Sequence, residues 1–290
     1  MTHRKTFELR LRSGSLHLGE RTLLMGVLNV TPDSFSDGGE FFDAKRAVEH
    51  ALAMQRDGAD IIDIGAESTR PGSSEIPAAE ELRRLLPVLQ ALRGKLKIPI
   101  SVDTRKSKVA EIALGAGAEI INDISGLRHD PELARVVAKH GAAIVLMHMR
   151  GTPHTMQKGP FARDVVKDVV GGLQQSIASA RTFGVRRSQI VIDPGIGFGK
   201  TYTQNYELLA KLFEVAKLGC PLLVGTSRKG FLGATLLRKG KPAPVEQRLF
   251  ATAATVAASI LNGAHIVRVH DAKEMKQVAT VADMIASARR

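Results

Sequence analysis

Short apolar runs alternate with stretches of helical periodicity along most of the chain. Eight runs are nearly continuous in Ile, Val and Leu, as expected for parallel strands buried on both faces. They cover residues 23–30, 61–64, 98–102, 119–124, 142–149, 190–192, 222–224 and 266–269. The amphipathic segments that follow them cover residues 44–56, 79–92, 107–114, 131–139, 162–183, 206–216, 246–261 and 272–288. Strict alternation of eight strands with eight helices predicts an α/β fold, a single (β/α)8 TIM barrel.

The N-terminal segment has a different period. Residues 7–18 alternate apolar and polar side chains around Ser13-Gly14, which predicts a β-hairpin in front of the barrel. No linker, low-complexity tract or change in composition marks a second domain, so residues 1–290 are expected to form one domain. An open, doubly wound sheet is the alternative, but residues 26–29 lack the glycine fingerprint of its phosphate loop.

Composition favours a protein of a reducing compartment. Hydrophobic residues make up 44% of the chain, enough for a large core, and the single cysteine, Cys220, excludes an intrachain disulfide. The first residues are charged and lack an apolar signal region. No run approaches the roughly 18 apolar residues of a membrane span. We therefore expect a cytoplasmic protein with no membrane contact.

The formal net charge is +12, which raises the question of a nucleic-acid partner. Aromatic residues are only 4% of the chain and Trp is absent, so few side chains could stack on bases. The basic residues are scattered among acidic ones on predicted helix faces. We expect a solvated surface, or attraction of small anionic substrates, and no nucleic-acid partner.

A polar residue stands at the C-terminal end of every predicted barrel strand. These ends converge on one mouth of a barrel, so side chains distant in sequence are expected to meet there. A single Asn or Asp after a strand usually caps a helix or forms a turn. Several of these residues lie inside their strand, however, where a carboxylate needs either a salt bridge or a ligand rich in N–H donors. In chain order they are Asn29, Asp63 with Glu67, Asp103, Asn122, His148, Asp193, Ser227 with Lys229, and Arg268 with His270.

The later loops carry glycines and cations. Residues 193–201 contain three evenly spaced glycines, but Pro194 stands where a P-loop needs its first glycine. Such glycines let a loop pack closely under a flat ligand or approach an anion. Ser227, Lys229 and Arg268 belong to the loops after the seventh and eighth barrel strands, where barrels often hold phosphate.

Two loops after the first and second barrel strands are rich in Gly, Pro and Ser. They span residues 31–39 and 67–73. Mobile loops at this end of a barrel commonly close over substrates. We expect this role for both, with inert surface turns as the alternative.

Eight strings of residues, in order from about Met25 to Asp271, resemble the dihydropteroate synthases. The first, second and seventh are highly specific, and the others are shared with other pterin-binding barrels. Ala66 stands where the family usually has a glycine, and its methyl group is expected to stiffen the turn into the second loop. The strings are residues 29–39, 67–72, 101–104, 121–124, 146–149, 193–200, 227–231 and 268–271.

The resemblance implies a reaction of folate biosynthesis. In it, 6-hydroxymethyl-7,8-dihydropterin diphosphate and 4-aminobenzoate give 7,8-dihydropteroate and pyrophosphate, with Mg²⁺ as cofactor. The implied pterin pocket consists of Asp103, Asn122, Asp193 and Lys229, with Met147 and Arg268 on the ring and Asp63 at the floor. Diphosphate and Mg²⁺ would lie near Asn29, Thr69, Arg268 and His270, with Asn29 as the metal ligand. Aminobenzoate would lie among Phe35, Thr69, Pro71, Phe198, Ser227 and Lys229, with Asp37 and Arg70 brought in by loop closure.

The chemistry of these residues suits that reaction. Breaking the methylene–oxygen bond leaves a multiply charged diphosphate, which Mg²⁺ and fixed cations such as Lys229 and Arg268 would stabilise. The electron-rich pterin can delocalise positive charge on the methylene, which favours a dissociative, SN1-like substitution. Excluding water then protects the cation, a task for the first two loops and for Asp37 and Arg70 within them.

Two other functions are weighed against this one. A methyltetrahydrofolate:corrinoid methyltransferase shares the pterin barrel but needs neither residues 68–71 nor the constellation at Ser227 and Lys229. A pterin-binding paralogue without catalysis is the second, and intact Asn29, Asp37, Arg70 and Lys229 argue against it. The sequence leaves the oligomeric state open, with a homodimer among the options. It also leaves open whether His270 contacts diphosphate or only backbone.

Overall fold

The structure, a computed structural model, describes residues 4–30, 40–69, 72–237 and 240–288, without the side chains of residues 40–43. Strands β1 (Phe7–Arg10) and β2 (Ser15–Leu18) pair in antiparallel fashion, with Phe7 opposite Leu18. The backbone N–H of Leu11 donates to the carbonyl oxygen of Gly14 at 2.9 Å and closes the turn. The predicted N-terminal hairpin is therefore confirmed.

Eight parallel strands follow and form a barrel. The sheet order is β8-β7-β6-β5-β4-β3-β10-β9, and a parallel bridge between Ile192 and Leu222 joins the two ends of the sheet. The predicted (β/α)8 barrel is confirmed. The strands are β3 (Leu23–Asn29), β4 (Ile61–Gly65), β5 (Ile100–Asp103), β6 (Ile120–Asp123), β7 (Ala143–Met147), β8 (Ile190–Asp193), β9 (Leu223–Val224) and β10 (Ile266–Val269).

The helices surround the barrel, and those after β8 and β9 differ most from the predicted segments. The sixth predicted helix begins earlier, because the Thr201 hydroxyl accepts from the N–H of Gln204 and the Gln204 side chain accepts from the N–H of Thr201. It also divides at Lys211, and a short helix after β9 was not predicted. The helices are α1 (Glu40–Arg56), α2 (Ala78–Leu92), α3 (Ser107–Gly115), α4 (Glu132–His140), α5 (Val165–Thr182), α6 (Tyr202–Ala210), α7 (Leu212–Ala216), α8 (Gly230–Thr235), α9 (Leu249–Leu261) and α10 (Ala272–Ser287).

Alternate residues of the barrel strands face the interior, because successive side chains of a strand point to opposite faces. The lower interior is apolar, and Leu9 and Leu18 of the hairpin pack into it from the N-terminal end of the barrel. The apolar side chains at the alternate strand positions, such as Ile62, Ile64 and Val102, pack outward against the helices. The buried interior residues of the strands are Leu23, Met25, Ile61, Ile120, Ala143, Val145, Val191, Leu223 and Ile266. The hairpin therefore covers the end of the barrel opposite to the polar residues.

Cys220 belongs to the core between barrel and helices, where it is 1% exposed. Burial raises the pKa of its thiol, which suits a small apolar side chain better than a reactive one. Within the described ranges, no helix is long and apolar enough to cross a membrane.

Candidate active site

Several sequence-predicted residues occupy the last inward positions of their strands. Each lies two residues beyond a buried residue of its strand, which is Ser101 for Asp103 and apolar for the others, so it points to the same face. Asp103 is paired with Asn122 across β5 and β6, and Met147 is paired with Asp193 across β7 and β8. The pairs along single strands are Ile61 with Asp63, Ile120 with Asn122, Val145 with Met147, Val191 with Asp193, and Ile266 with Arg268. The structure thus gathers these polar side chains at the C-terminal end of the barrel.

Arg268 connects two of the carboxylates. Its Nε donates to Oδ2 of Asp63 at 2.6 Å and its Nη2 donates to Oδ2 of Asp103 at 3.0 Å. The amide Nδ2 of Asn122 donates to the same Asp63 oxygen at 3.0 Å. Asp63 is completely buried, and within the described part of the chain its Oδ1 has no hydrogen-bond partner. An N–H donor from a bound ligand would remove the cost of that buried oxygen.

Burial and neighbouring charges set the protonation of these groups. Burial raises the pKa of Asp103 to about 7, although the nearby Arg268 guanidinium acts in the opposite direction. Burial disfavours the charged form of Arg268, but the carboxylates of Asp63 and Asp103 raise its pKa above the ordinary value. Burial also raises the pKa of Asp193, against Lys229 and the N–H of Gly195. Binding a ligand with several N–H groups would stabilise both Asp103 and Asp193 as carboxylates.

Lys229 lies at the N-terminus of α8 beside the glycine-rich loop. Its Nζ donates to the carbonyl oxygen of Ile196 and lies 4.4 Å from the centroid of the Phe198 ring. Burial lowers the pKa of Lys229 to about 8, while Asp193 works to raise it. Oδ1 of Asp193 accepts from the N–H of Gly195 at 2.7 Å. Lys229, Phe198 and Asp193 therefore form one wall of the barrel mouth.

The shape of the glycine-rich loop depends on glycine at two of its positions. Gly195 and Gly199 both have φ of +68°, in the left-handed region. A Cβ atom on Gly195 would lie 1.8 Å from the carbonyl oxygen of His148, and one on Gly199 would lie 2.3 Å from that of Arg150. The loop can approach the end of β7 only with glycine at these positions.

The proposed anion side of the mouth is described in part. His270 is linked to Ser227, whose Oγ lies 2.9 Å from Nδ1 and accepts from the His270 N–H at 3.2 Å. Asn29 ends β3, paired with Gly65 of β4, and Thr69 follows β4 in a half-buried position. The remaining predicted residues of the two loops, Phe35, Asp37, Arg70 and Pro71, lie outside the described residues.

His148, Glu67 and Arg228 do not point into the mouth. His148 follows the inward-facing Met147, so its ring faces outward, where Gly172 of α5 leaves room for it: a Cβ on that glycine would lie 2.5 Å from the ring. Oε1 of Glu67 accepts from Nη2 of Arg105 at 2.7 Å. Arg228 pairs with Asp271, Nε donating to Oδ2 at 3.1 Å. The alternation of side-chain direction along a strand is the sequence signal that distinguishes the outward-facing His148 from the inward-facing Met147.

Ala66, the departure from the family pattern, lies directly before Glu67 at the start of the second loop. It is 1% exposed and packs in the core between barrel and helices. Its carbonyl oxygen accepts from Nη1 of Arg84 at 3.1 Å. The extra methyl group therefore has a place in the fold, and its effect on the second loop stays a prediction.

The residues present fit a metal ion that takes some of its ligands from the protein and others from the substrate. Within the described ranges, no group of three or more His, Cys, Asp and Glu side chains could hold a metal ion. Mg²⁺ usually keeps several waters and takes one or two protein oxygens together with substrate phosphates. The amide oxygen of Asn29, at the mouth end of β3, is a suitable single ligand of that kind.

A separate cavity of about 370 Å³ lies outside the barrel, between the end of β7 and α5. Both Met147 and His148 contribute to its wall, but the carboxylates of the barrel mouth do not. The lining residues are Arg128, Met147, His148, Met149, Arg150, Lys167, Asp168, Gly171, Gly172, Gln175 and Ser176. Apart from Met147, the predicted substrate residues in the described ranges therefore do not line this cavity.

The fold and the site define a barrel enzyme that binds a flat, N–H-rich heterocycle. In agreement, residues 25–270 match the family of pterin-binding enzymes. A dihydropteroate synthase of Synechocystis is 49% identical over 267 residues, which cover 92% of this chain and 91% of that protein. This chain belongs to the dihydropteroate synthases, which are transferases.

Solved structures of the same family have the same fold. One is Xanthomonas albilineans dihydropteroate synthase with 4-aminobenzoic acid, with a TM-score of 0.88 and 39% identity, covering 97% of this chain and 98% of that one. Another is the Burkholderia cenocepacia enzyme complexed with 7,8-dihydropteroate, with a TM-score of 0.85 and 40% identity, covering 98% of each chain. Both ligands are small molecules, in line with the expected partners.

Proposed function

We propose that this chain condenses 6-hydroxymethyl-7,8-dihydropterin diphosphate with 4-aminobenzoate, giving 7,8-dihydropteroate and pyrophosphate. The observation that carries the proposal is the convergence of Asp63, Asp103, Asn122, Asp193 and Arg268 on one barrel mouth. The 4-aminobenzoic acid and the 7,8-dihydropteroate in the structures named above support the second substrate and the product.

The polar ring at the mouth binds the pterin. Asp103 and Asp193 accept from the N–H groups of the heterocycle, and the Asn122 amide can donate and accept. Met147 and the Arg268 guanidinium pack on the ring faces. The unpaired Oδ1 of Asp63 gives the floor a further acceptor. Together these contacts fix the methylene carbon at the open end of the site.

The diphosphate lies on the side of Asn29, Thr69, Arg268 and His270, where the amide oxygen of Asn29 would hold Mg²⁺. When bound, Mg²⁺ supplies positive charge that stabilises the departing diphosphate. Arg268 adds a fixed cation whose position is set by Asp63 and Asp103, so it needs little reorganisation during the reaction.

The substitution takes place between these two regions. The methylene–oxygen bond breaks, its electron pair leaves with the diphosphate, and the pterin delocalises the positive charge. The aniline nitrogen of 4-aminobenzoate then forms the new carbon–nitrogen bond and loses a proton. Phe198, Thr69, Ser227, Lys229 and the loop residues Phe35 and Pro71 surround the aminobenzoate, while Asp37 and Arg70 close over it and exclude water.

Isotope exchange tests whether the bond breaks first. Substrate labelled with ¹⁸O in the oxygen between the methylene carbon and the first phosphorus is incubated with enzyme and Mg²⁺ but no aminobenzoate. A dissociative route predicts movement of the label into non-bridging positions of recovered substrate, because the free diphosphate can rotate before it recombines. Labelled substrate that stays unscrambled while complete reactions turn over would contradict this route.

Variants test the function itself. With both substrates and Mg²⁺, we expect the purified protein to release pyrophosphate and form dihydropteroate, measured by a coupled assay and mass spectrometry. Lys229→Ala and Arg70→Ala should each lose this activity while the barrel stays folded by circular dichroism. Lys217→Ala, which removes an exposed lysine, is the control and should retain it. Normal turnover in both site variants would refute the assignment.

Assembly as a homodimer and a cytoplasmic location complete the proposal. Phe250 of α9 is 85% exposed, and Val281 and Met284 of the neighbouring α10 are 60% and 67% exposed. The proposed interface consists of the outer faces of α9 and α10, which carry these exposed apolar side chains. Light scattering after size exclusion should give twice the mass of one chain. In Phe250→Glu, a smaller fraction of the protein should have this dimer mass. The single buried cysteine suits a reducing compartment.

A further inference from the structure

Lys200 is a lysine buried directly behind the glycine-rich loop. It is 2% exposed, and its Nζ donates to the carbonyl oxygens of His148 at 2.9 Å and Phe198 at 3.0 Å. The same nitrogen lies 3.0 Å from Nδ1 of His148. Three acceptors match the three N–H groups of an ammonium. The side chain is therefore held in one position by backbone and by one ring.

This arrangement is costly for folding. In the described part of the chain, no carboxylate lies within ion-pair distance of Lys200. Burial lowers its pKa to about 7, with Asp193 and Asp168 raising the pKa and Lys229 and Arg128 lowering it. An apolar side chain would fill such a place at lower cost. The ammonium therefore calls for a role beyond stability.

The two carbonyl groups belong to elements that carry the pterin site. His148 directly follows Met147 at the end of β7, and the Phe198 ring faces Nζ of Lys229. By binding both carbonyls, Lys200 fixes the distance between β7 and the glycine-rich loop. It thereby fixes the position of the Phe198 ring relative to the Met147 side chain.

His148 in turn fixes Lys200. A charged Lys200 donates to Nδ1, so the ring carries its proton on Nε2, which lies 3.5 Å from Oδ2 of Asp168 on α5. Burial lowers the pKa of His148 to about 2, and the adjacent Lys200 adds to this, which keeps the ring a neutral acceptor. Gly172 leaves just enough room for the ring.

We propose that Lys200 is a positioning residue of the pterin pocket, which holds Phe198 in place and gives Asp193 a second supporting cation. The inference rests on the proposed function, because it assumes that Asp193 accepts from the pterin. The charged groups that favour the ionised form of Asp193 are Lys229, Lys200 and Arg268, together with the N–H of Gly195. Without Lys200, Asp193 is harder to ionise and a poorer acceptor.

Calorimetric binding of 6-hydroxymethylpterin as a function of pH tests the proposal. Lys200→Met keeps the length of the side chain but removes its charge. Its affinity should fall by roughly ten-fold or more, as for other groups that orient a binding residue. The acid limb of its affinity profile should also move to higher pH, because Asp193 ionises later. Lys200→Arg keeps the charge and should return the limb towards the wild-type position.

Wild-type affinity and an unmoved limb in Lys200→Met would overturn the inference. Leu9→Ala, at the opposite end of the barrel, controls for loss of stability, and should bind the pterin normally. The same loss of affinity in Leu9→Ala would also overturn it. If Lys200→Met does not fold, His148→Gln replaces it: weaker binding with an unmoved limb is expected, and unchanged binding contradicts the proposal. Wild-type protein that binds no pterin would instead refute the pterin site itself.

Discussion

At the scale of single residues, burial and neighbouring charges together shift the pKa values of Asp103, Asp193 and Lys229. Asp63 and Asp103 share Arg268, and Asp193 faces Lys229. The sequence predicts which of these residues meet, because they follow strands. It does not predict how they pair, because the pairing depends on the register between strands.

The charge of Lys229 should make the activity of the enzyme fall at high pH. Burial lowers its pKa to about 8, so the side chain is charged below that pH and neutral above it. We expect kcat/KM to fall above about pH 8 and Lys229→Arg to move this fall to higher pH, since arginine stays charged. An alkaline limb that is identical in Lys229→Arg would show that another group is responsible.

Asn29 should control the requirement for Mg²⁺. Removal of the metal with EDTA should abolish pyrophosphate release, and added Mg²⁺ should restore it. Asn29→Ala removes the proposed ligand and should raise the Mg²⁺ concentration for half-maximal rate roughly ten-fold or more. Asn29→Asp, which adds a carboxylate, should lower it. An unchanged Mg²⁺ dependence in both variants would place the metal elsewhere.

At the scale of elements, strand alternation explains most of what was predictable. Runs of Ile, Val and Leu predict the strands. The inward direction of the Asp63 and Asn122 side chains follows from the inward-facing apolar residues two positions before them. His148 was expected at the mouth because the predicted strand extended to residue 149, whereas β7 ends at Met147. The short α8 was not predicted, because six residues beginning with a glycine carry no helical period.

Two adjacent glycines inside α5 offer a test of the packing behind the site. A Cβ on Gly171 would meet nothing within 4 Å, whereas one on Gly172 would lie 2.5 Å from Cδ2 of His148. Gly171→Ala should therefore raise the free energy of unfolding by about 0.5–1 kcal/mol, the cost of glycine in a helix. Gly172→Ala should lower it. Equal stabilisation by both substitutions, measured by urea denaturation, would contradict the packing of His148.

At the scale of the whole molecule, the barrel separates stability from chemistry. The hairpin and the lower interior are apolar, while the polar side chains occupy the opposite end. This division follows from the fold, because the loops after parallel strands all open on one side. It predicts that substitutions at the two ends have different effects.

Leu9→Ala tests this division. Leu9 is 1% exposed in the lower interior, and its truncation should lower the free energy of unfolding by about 2–5 kcal/mol. The KM values for both substrates should stay unchanged, because the mouth is at the other end. Urea denaturation and steady-state kinetics measure the two effects. A large change in KM would show that the hairpin supports the site.

The location of a bound pterin tests the central claim most directly. A crystal structure of the protein with pteroic acid should show the N–H edge of the ring within hydrogen-bond distance of Asp103, Asn122 and Asp193, with Arg268 and Met147 against its faces. A ring bound outside the barrel mouth, such as in the cavity beside α5, with these carboxylates facing no ligand, would contradict the account.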